Sequence, residues 1–252
     1  MNWTGLFTLI KRENVRSIKI LNQVIWPPII SSLLYVLIFG FSIGKDLSIE
    51  GTPYLFFLVP GLIMMNIIMS SYDESASSLF LAKFIKYIEE LLVAPLSYLE
   101  LVLGLMIGSI TRAFIIANLI FILFIFLIGS TIANIGLYLY FMLIVSAFFA
   151  CVGLIIALWA EKFDHLAVLN TFFITPLLFF GGVFHSINLL PPLFKKISLF
   201  NPLFYMIDGF RFAILGTSDM NITVSLVVTT SLAVFAFISA LHLFKKGYKL
   251  KT

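Results

Sequence analysis

Charge is scarce in this chain. Of its 252 residues, 11% are Asp, Glu, Lys or Arg and 61% are hydrophobic, with a mean hydropathy of +1.11. No single soluble core of this size buries that share of apolar residues, so the solvent is lipid. Cysteine is nearly absent: Cys151 stands alone within an apolar run, which excludes an intrachain disulfide and any metal or redox pair built on thiols, and leaves the role of a small core hydrophobe. His165, His185 and His242 are far apart, and neither H-E-x-x-H nor G-x-S-x-G occurs, so an intramembrane hydrolase is not expected. A G-x-x-x-x-G-K-[ST] phosphate loop is missing, and no soluble segment is long enough for a nucleotide-binding domain. The chain is therefore expected to bind no cofactor and no metal, and to be no enzyme by itself. Its net charge of +4 comes from basic residues at the chain ends and beside apolar runs, a pattern of membrane flanking rather than of nucleic-acid binding.

What is present is a series of six apolar segments, at 24–43, 54–72, 99–128, 135–160, 166–184 and 222–244. Each approaches or exceeds the ~20 residues that a helix needs to cross the hydrocarbon. Six crossings return the chain to its starting side. Lys11, Arg12, Arg16 and Lys19 precede the first, and Lys245, Lys246, Lys249 and Lys251 follow the last, so the positive-inside rule places both termini in the cytoplasm. Lys83, Lys86 and Lys162 then fall inside, while the outer loop 44–52 carries only Lys45 against Asp46 and Glu50. The first run is too long for a signal-peptide h-region and no small-residue cleavage site follows, so it is expected to remain as an anchor. The expectation is an all-α membrane protein, a single transmembrane domain over 1–252.

Two amphipathic elements flank the spans. In 3–22, Trp3, Leu6, Phe7, Ile10, Ile18 and Leu21 share one side and Arg12, Arg16, Lys19 and Gln23 the other, as in a helix lying along a membrane surface; a basic tail attracted to anionic lipid is the competing reading. Pro27 and Pro28 then allow a change of direction, with proline tolerated in a first helical turn. The second element, KFIKYIEELLVAP at 83–95, puts Phe84, Ile85, Ile88, Leu91 and Leu92 on about a third of a helix circumference and ends at Pro95. Glu89 and Glu90 then fall in the last turn, where the helix dipole disfavours them. That cost points to a partner outside the chain; a solvated helix that merely joins two spans is equally compatible with the spacing.

The segment 184–216 mixes apolar runs with Gly and Pro too closely for another crossing. It reads as short helices that enter the outer leaflet and leave on the same side, because irregular backbone at membrane depth needs protein or water around it. Asp208 and Arg211 have i,i+3 spacing and are expected to neutralise each other. Arg112 lies well inside the third apolar run. A charge there marks function unless its long stem snorkels to the interface, and the run is long enough to leave its depth open.

Four stretches carry a resemblance: VPGLIMMNII at 59–68, IEELLVAPLS at 88–97, TPLLFFGGVFHSINLLPP at 175–192 and NPLFYMIDGFR at 201–211. In this order, within six spans, they resemble the permease subunits of type-2 ABC transporters, particularly the small bacterial export permeases, through nearly the whole chain. The resemblance implies that 83–95 is a coupling helix seated on a separate ATP-binding subunit, two copies of which hold ATP and Mg. Carried over by position, the contact set is Lys86, Glu89, Glu90, Leu91, Leu92, Ala94 and Pro95, with Arg12 and Arg16 of the N-terminal helix on the same partner. It further implies a homodimer in the bacterial inner membrane with the pathway between its halves, Arg112 at that pathway or dimer interface, and an outer re-entrant gate containing Gly181, Gly182, Asn201, Pro202, Asp208 and Arg211. The implied function is ATP-driven export. An ATP-independent channel or scaffold is the alternative, and the substrate is open among drug, lipid-linked glycan and other amphiphile.

Overall fold

A computed structural model describes residues 2–44, 47–49 and 51–250. Lys45, Asp46, Glu50 and Lys251, which entered the loop-charge argument, lie outside them, and the side chain of Leu21, placed on the apolar side of the N-terminal helix, is likewise not described. The protein is helical, with six helical segments among the described residues long and apolar enough to cross a membrane: Asn22–Ser42, Tyr54–Phe84, Tyr98–Ile128, Ile135–Trp159, Phe163–Phe180 and Ile222–Lys246. The fold is the all-α, six-span architecture that hydropathy predicts.

Chain order explains the layout. Helix α1 (Trp3–Lys19) is followed by α2 (Leu21–Tyr35), which continues as a π-helical stretch Val36–Ile43. A two-stranded hairpin, β1 (Ser48–Ile49) with β2 (Thr52–Pro53), leads into α3 (Tyr54–Phe84). Short α4 (Ile88–Val93) precedes α5 (Tyr98–Ile128) and α6 (Ile135–Trp159). The fifth span is composite: α7 (Phe163–Leu169), a π-helical turn Asn170–Ile174 and α8 (Thr175–Phe180). Next come α9 (Pro192–Phe200), α10 (Pro202–Leu215) and α11 (Ile222–Lys246). The β-hairpin residues Ile49 and Thr52 gather with Arg211 and Asp219 at one end of the bundle. α1 and α4 lie together at the other, called here the α4 end.

Helix α3 is the hub. Its second half, SSYDESASS, looks too polar for a core, yet it is almost wholly buried. Ser70, Ser71 and Ser75 each donate to a carbonyl one turn back, at 2.6, 2.7 and 3.0 Å, so their hydroxyls are satisfied inside the helix and expose no polar atom to apolar neighbours. Small residues also let helices approach closely: a Cβ added at Gly153 of α6 would lie 2.6 Å from the Tyr72 carbonyl oxygen.

The helical boundaries depart from the sequence-based expectation in three places. No breaker stands between Tyr72 and Phe84, so α3 runs on for 31 residues, roughly 46 Å at 1.5 Å per residue and well beyond a ~30 Å hydrocarbon core. Lys83, expected on the polar side of 83–95, is buried in α3, and its Nζ donates to the carbonyls of Ala157 and Leu158 at 2.9 and 3.0 Å. It therefore caps the α6 C-terminus, where the dipole favours a cation. Second, the predicted helix 83–95 is divided: Lys86 adopts φ 59°, a left-handed conformation that ends α3 and starts α4 afresh. Third, Pro27 and Pro28 lie inside α2 rather than in its first turn.

Candidate functional site

At the α4 end, five charged side chains from three helices meet beneath α1. Glu74 of α3 is 2% exposed and receives Arg16 Nη2 at 2.6 Å, Ser17 Oγ at 2.5 Å, and the guanidinium of Arg112 from α5. Glu13 of α1 is 1% exposed, with Arg12 at 2.6 Å, Arg16 at 3.3 Å and Ser78 Oγ at 2.7 Å. Three guanidinium groups thus face two carboxylates, with all four carboxylate oxygens engaged. Paired and hydrogen-bonded in this way, the charges avoid the several kcal/mol of desolvation each would cost alone.

The lattice requires close approach, and α5 provides it with glycine. A Cβ at Gly108 would lie 2.7 Å from Glu13 Cβ, and one at Gly104 would lie 2.4 Å from Leu9 Cδ2. The face of α1 that packs on the bundle is therefore Leu6, Leu9, Glu13 and Ser17. Trp3, Phe7 and Ile18 remain exposed on the adjoining stripe, so the apolar side expected to lie along a membrane is split: Leu6 packs on the bundle and the other three point away from it. The start of α1 is pinned as well: the Asn2 backbone N–H donates to Glu100, Asn2 Nδ2 donates to the Pro95 carbonyl at 3.2 Å, and Glu100 closes a capping box with Ser97 at the start of α5.

Between α1 and α4 is a cleft of about 520 Å³ lined by Thr8, Leu9, Arg12, Tyr87, Glu90 and Pro95, among others. Arg12 sits 4.4 Å above the Tyr87 ring centroid, a cation–π contact that joins the lattice to α4. Within α4, Ile88 and Leu91 face inward, whereas Glu89, Glu90 and Val93 are exposed, as are Phe84, Ile85 and Lys86 just before them. Glu89 and Glu90 lie in the first turn of α4. The sequence places them in a last turn because it does not reveal the break at Lys86. Here the dipole favours the carboxylates, so the argument that they are held at an unfavourable helix end does not apply. Leu92 and Ala94 are half-buried beside them, with Pro95 exposed.

The residues expected in an outer gate gather at the opposite end. Gly182 has φ 85° and its carbonyl accepts from Arg211 Nη2 at 2.5 Å; Gly181 ends α8. Asn201 caps α10, accepting from Leu203 N at 3.0 Å and donating to the Leu177 carbonyl at 2.6 Å, with Pro202 in the first turn. Asp208 and Arg211 form no ion pair within 4.0 Å of each other among the described residues, so the neutralisation that i,i+3 spacing allows is not a direct contact. Asp208 instead accepts backbone N–H groups of Asp219 and Met220 at 2.7 and 3.3 Å, and Arg211 lies 3.8 Å from the centroid of the Phe57 ring. The carbonyls of Ala213 and Ile214 receive the backbone of Asn134 and Ala133, which puts the far end of α10 beside the α5–α6 turn. The segment therefore enters and leaves at one end, as expected of 184–216.

The structure brings Arg12, Glu90 and Pro95 around one cleft and ties Arg16 and Arg112 to Glu74 beneath it. Glu13 and Glu74 are what sequence reasoning missed. The partners of Glu74 lie 58 and 38 positions away and Ser78 lies 65 from Glu13, beyond any local spacing rule, whereas Arg12 and Arg16 are local partners of Glu13. The usable signal was Asp73–Glu74 directly after an apolar run that matches the depth of Arg112.

Residues 4–215 match the ABC-2 type transporter family. The inner membrane transport permease YadH of Escherichia coli K12 is 34% identical over 251 residues, covering 99% of this chain and 98% of that protein. Nodulation protein J of Rhizobium leguminosarum bv. viciae is 27% identical over 232 residues, 86% of each chain, and that of Sinorhizobium fredii is 23% identical over 209. With six spans in this order, the chain is a multi-pass permease of the bacterial inner membrane and belongs to the ABC-2 type transporter family.

Proposed function

We propose that this permease forms the substrate pathway of an ATP-driven exporter, as a homodimer whose α4 end faces the cytoplasm and docks two copies of a separate ATP-binding subunit. ATP and Mg would be held by that partner, and this chain would supply no catalytic group. The observation that carries the reading is the cleft between α1 and α4, braced from below by the Glu13–Glu74 lattice. A rigid block under a surface depression suits a lever: a partner seated there moves α1, α3 and α5 together.

Chemistry supports the same face. Phe84, Ile85 and Val93 are exposed at a helix end beyond the apolar runs, where lipid does not account for them and a protein contact does. Glu89 and Glu90 stand beside them with Lys86, so a partner carrying cations opposite the glutamates would be held in register by charge complementarity. The dimer reading draws on the first and fifth spans, the least covered helices of the single chain.

The test is co-expression with an ATP-binding subunit and assay of its ATPase in lipid. Replacing Glu89 and Glu90 with lysine is expected to lower permease-stimulated hydrolysis at least tenfold while membrane insertion is kept. Undiminished stimulation would remove these residues from the interface, and failure of any ATP-binding subunit to co-purify would favour an ATP-independent channel or scaffold.

A further inference from the structure

A second cleft, about 380 Å³, opens between α2, α3 and α5, within the ~300–1,000 Å³ range of small-molecule sites. Its wall is rich in hydrogen-bond acceptors. Pro27 and Pro28 line it from inside α2, and neither ring has an N–H to return to the preceding turn. The carbonyls of Gln23 and Val24, two residues of the same lining, therefore lose their helical donors. Across the cleft, Asn66 spends Nδ2 on Ser32 Oγ and the Leu62 carbonyl at 3.0 and 2.7 Å, which leaves Oδ1 as an acceptor. Asp73 accepts Asn170 Nδ2 on Oδ1 at 3.0 Å, with its second oxygen carrying no bond among the described residues. Arg112 also borders the cleft, with its guanidinium turned to Glu74, a carboxylate it shares with Arg16.

We propose that this cleft binds the cationic, N–H-bearing head of an amphiphile. Asp73 supplies the countercharge, the released carbonyls and Asn66 Oδ1 take up the N–H groups, and Val24, Met69 and Ile116 of the lining contact the apolar body. Depth fits an amphiphile: Asp73 immediately follows the apolar stretch of α3 that begins at Tyr54, at the level where a polar group leaves the hydrocarbon. As a cargo site the cleft rests on the export reading. Its binding is measured on the permease without any ATPase, so the two readings fail separately.

The experiment is equilibrium binding of rhodamine 6G, a cationic amphiphile with N–H donors, to the full chain in phosphatidylcholine nanodiscs. Gln23 is exposed on α2, so charges are introduced there without disturbing the core. The Kd of Gln23→Lys is expected to exceed that of Gln23→Glu by more than tenfold, and Asp73→Asn to weaken binding at least tenfold. Lys162→Glu, exposed at the same end, is expected to change Kd less than twofold. The proposal is overturned if the wild type shows no saturable binding, if the Gln23 ratio is tenfold or less, or if Lys162→Glu matches Gln23→Glu. The Gln23 pair decides the matter even if Asp73→Asn, which loses the Asn170 bond, fails to fold.

Discussion

Two kinds of span coexist in this chain. Within its most apolar window α3 is 83% buried, whereas the first and fifth spans are each 17% buried. At a mean hydropathy of 1.8, α3 carries serines, Asp73 and Glu74 and is the better packed; the first and fifth spans, at 2.0 and 1.5, lie on either side of it in hydropathy and are the least packed. Burial in a membrane protein therefore does not follow hydropathy, because lipid solvates apolar side chains as well as protein does, and only polar groups must be drawn inward. The flanking spans also contain the π-helical stretches, Val36–Ile43 and Asn170–Ile174, an irregularity that often accompanies function. The best-covered helix holds Glu74 and its ion pairs, while the two least-covered spans hold the π-helical stretches.

The largest effect is expected where the fixed block is tied together. Glu74→Ala leaves Arg16 and Arg112 without their shared carboxylate, a loss of about 3–5 kcal/mol for a buried pair broken on one side. The chain should then fail to accumulate, or melt far below wild type by size-exclusion thermal assay. Glu74→Gln keeps the shape and one acceptor and should lose less. Next comes close approach: Gly108→Ala sets a methyl 2.7 Å from Glu13 Cβ, and overpacking of this kind costs about 1–3 kcal/mol. Lys83→Met removes the ammonium from the α6 carbonyls and should cost a comparable 1.5–3 kcal/mol, roughly the worth of a charged hydrogen bond. If Glu74→Ala, Gly108→Ala and Lys83→Met all melted like wild type, the distinction between block and flank would have no energetic content.

The flanks invert the expectation. Phe173, 59% exposed on the fifth span, should tolerate Ala with a stability change within about 0.5 kcal/mol, yet a cysteine there should cross-link two copies if this face meets its like in the dimer. Cys151 is buried and does not compete for oxidant. Absence of cross-linking from both the first and fifth spans would leave the block intact and remove these faces from the proposed dimer contact.

Most of the architecture was legible because lipid imposes a simple rule on chain length and polarity. Six spans follow from apolar run length, the helix at 3–19 from amphipathic spacing, and the short, broken helices of 184–216 from Gly and Pro. What escaped were features set by one backbone angle or by a distant partner. The left-handed Lys86 turned Glu89 and Glu90 from a last-turn liability into first-turn residues, and Glu74 was passed over because the apolar run was judged to stop at Tyr72. Arg112 was legible as a residue needing a partner, but the partner was not, since the two helices meet through tertiary packing that no spacing encodes.

The smallest expected effect lies at the outer edge of the fixed block, where Lys249 Nζ reaches Glu161 Oε1 at 2.7 Å and ties the C-terminal tail to the α6–α7 turn. The hydrogen bond and charge of Lys249 hold the Glu161 carboxyl below its ordinary 4.5, and the same bond raises the Lys249 amine. A carboxylate with a depressed pKa stabilises the folded arrangement at neutral pH and loses that contribution as pH falls through its folded value. Both side chains are well exposed, so the tether should bear on local order of the tail and hardly at all on global melting. A spin label at Tyr248→Cys should give broad lines at pH 7 that sharpen toward pH 3.5. In a Glu161→Gln background the lines should be sharp already at pH 7 and insensitive to acid; sharpening that persists there would assign the tether to another group.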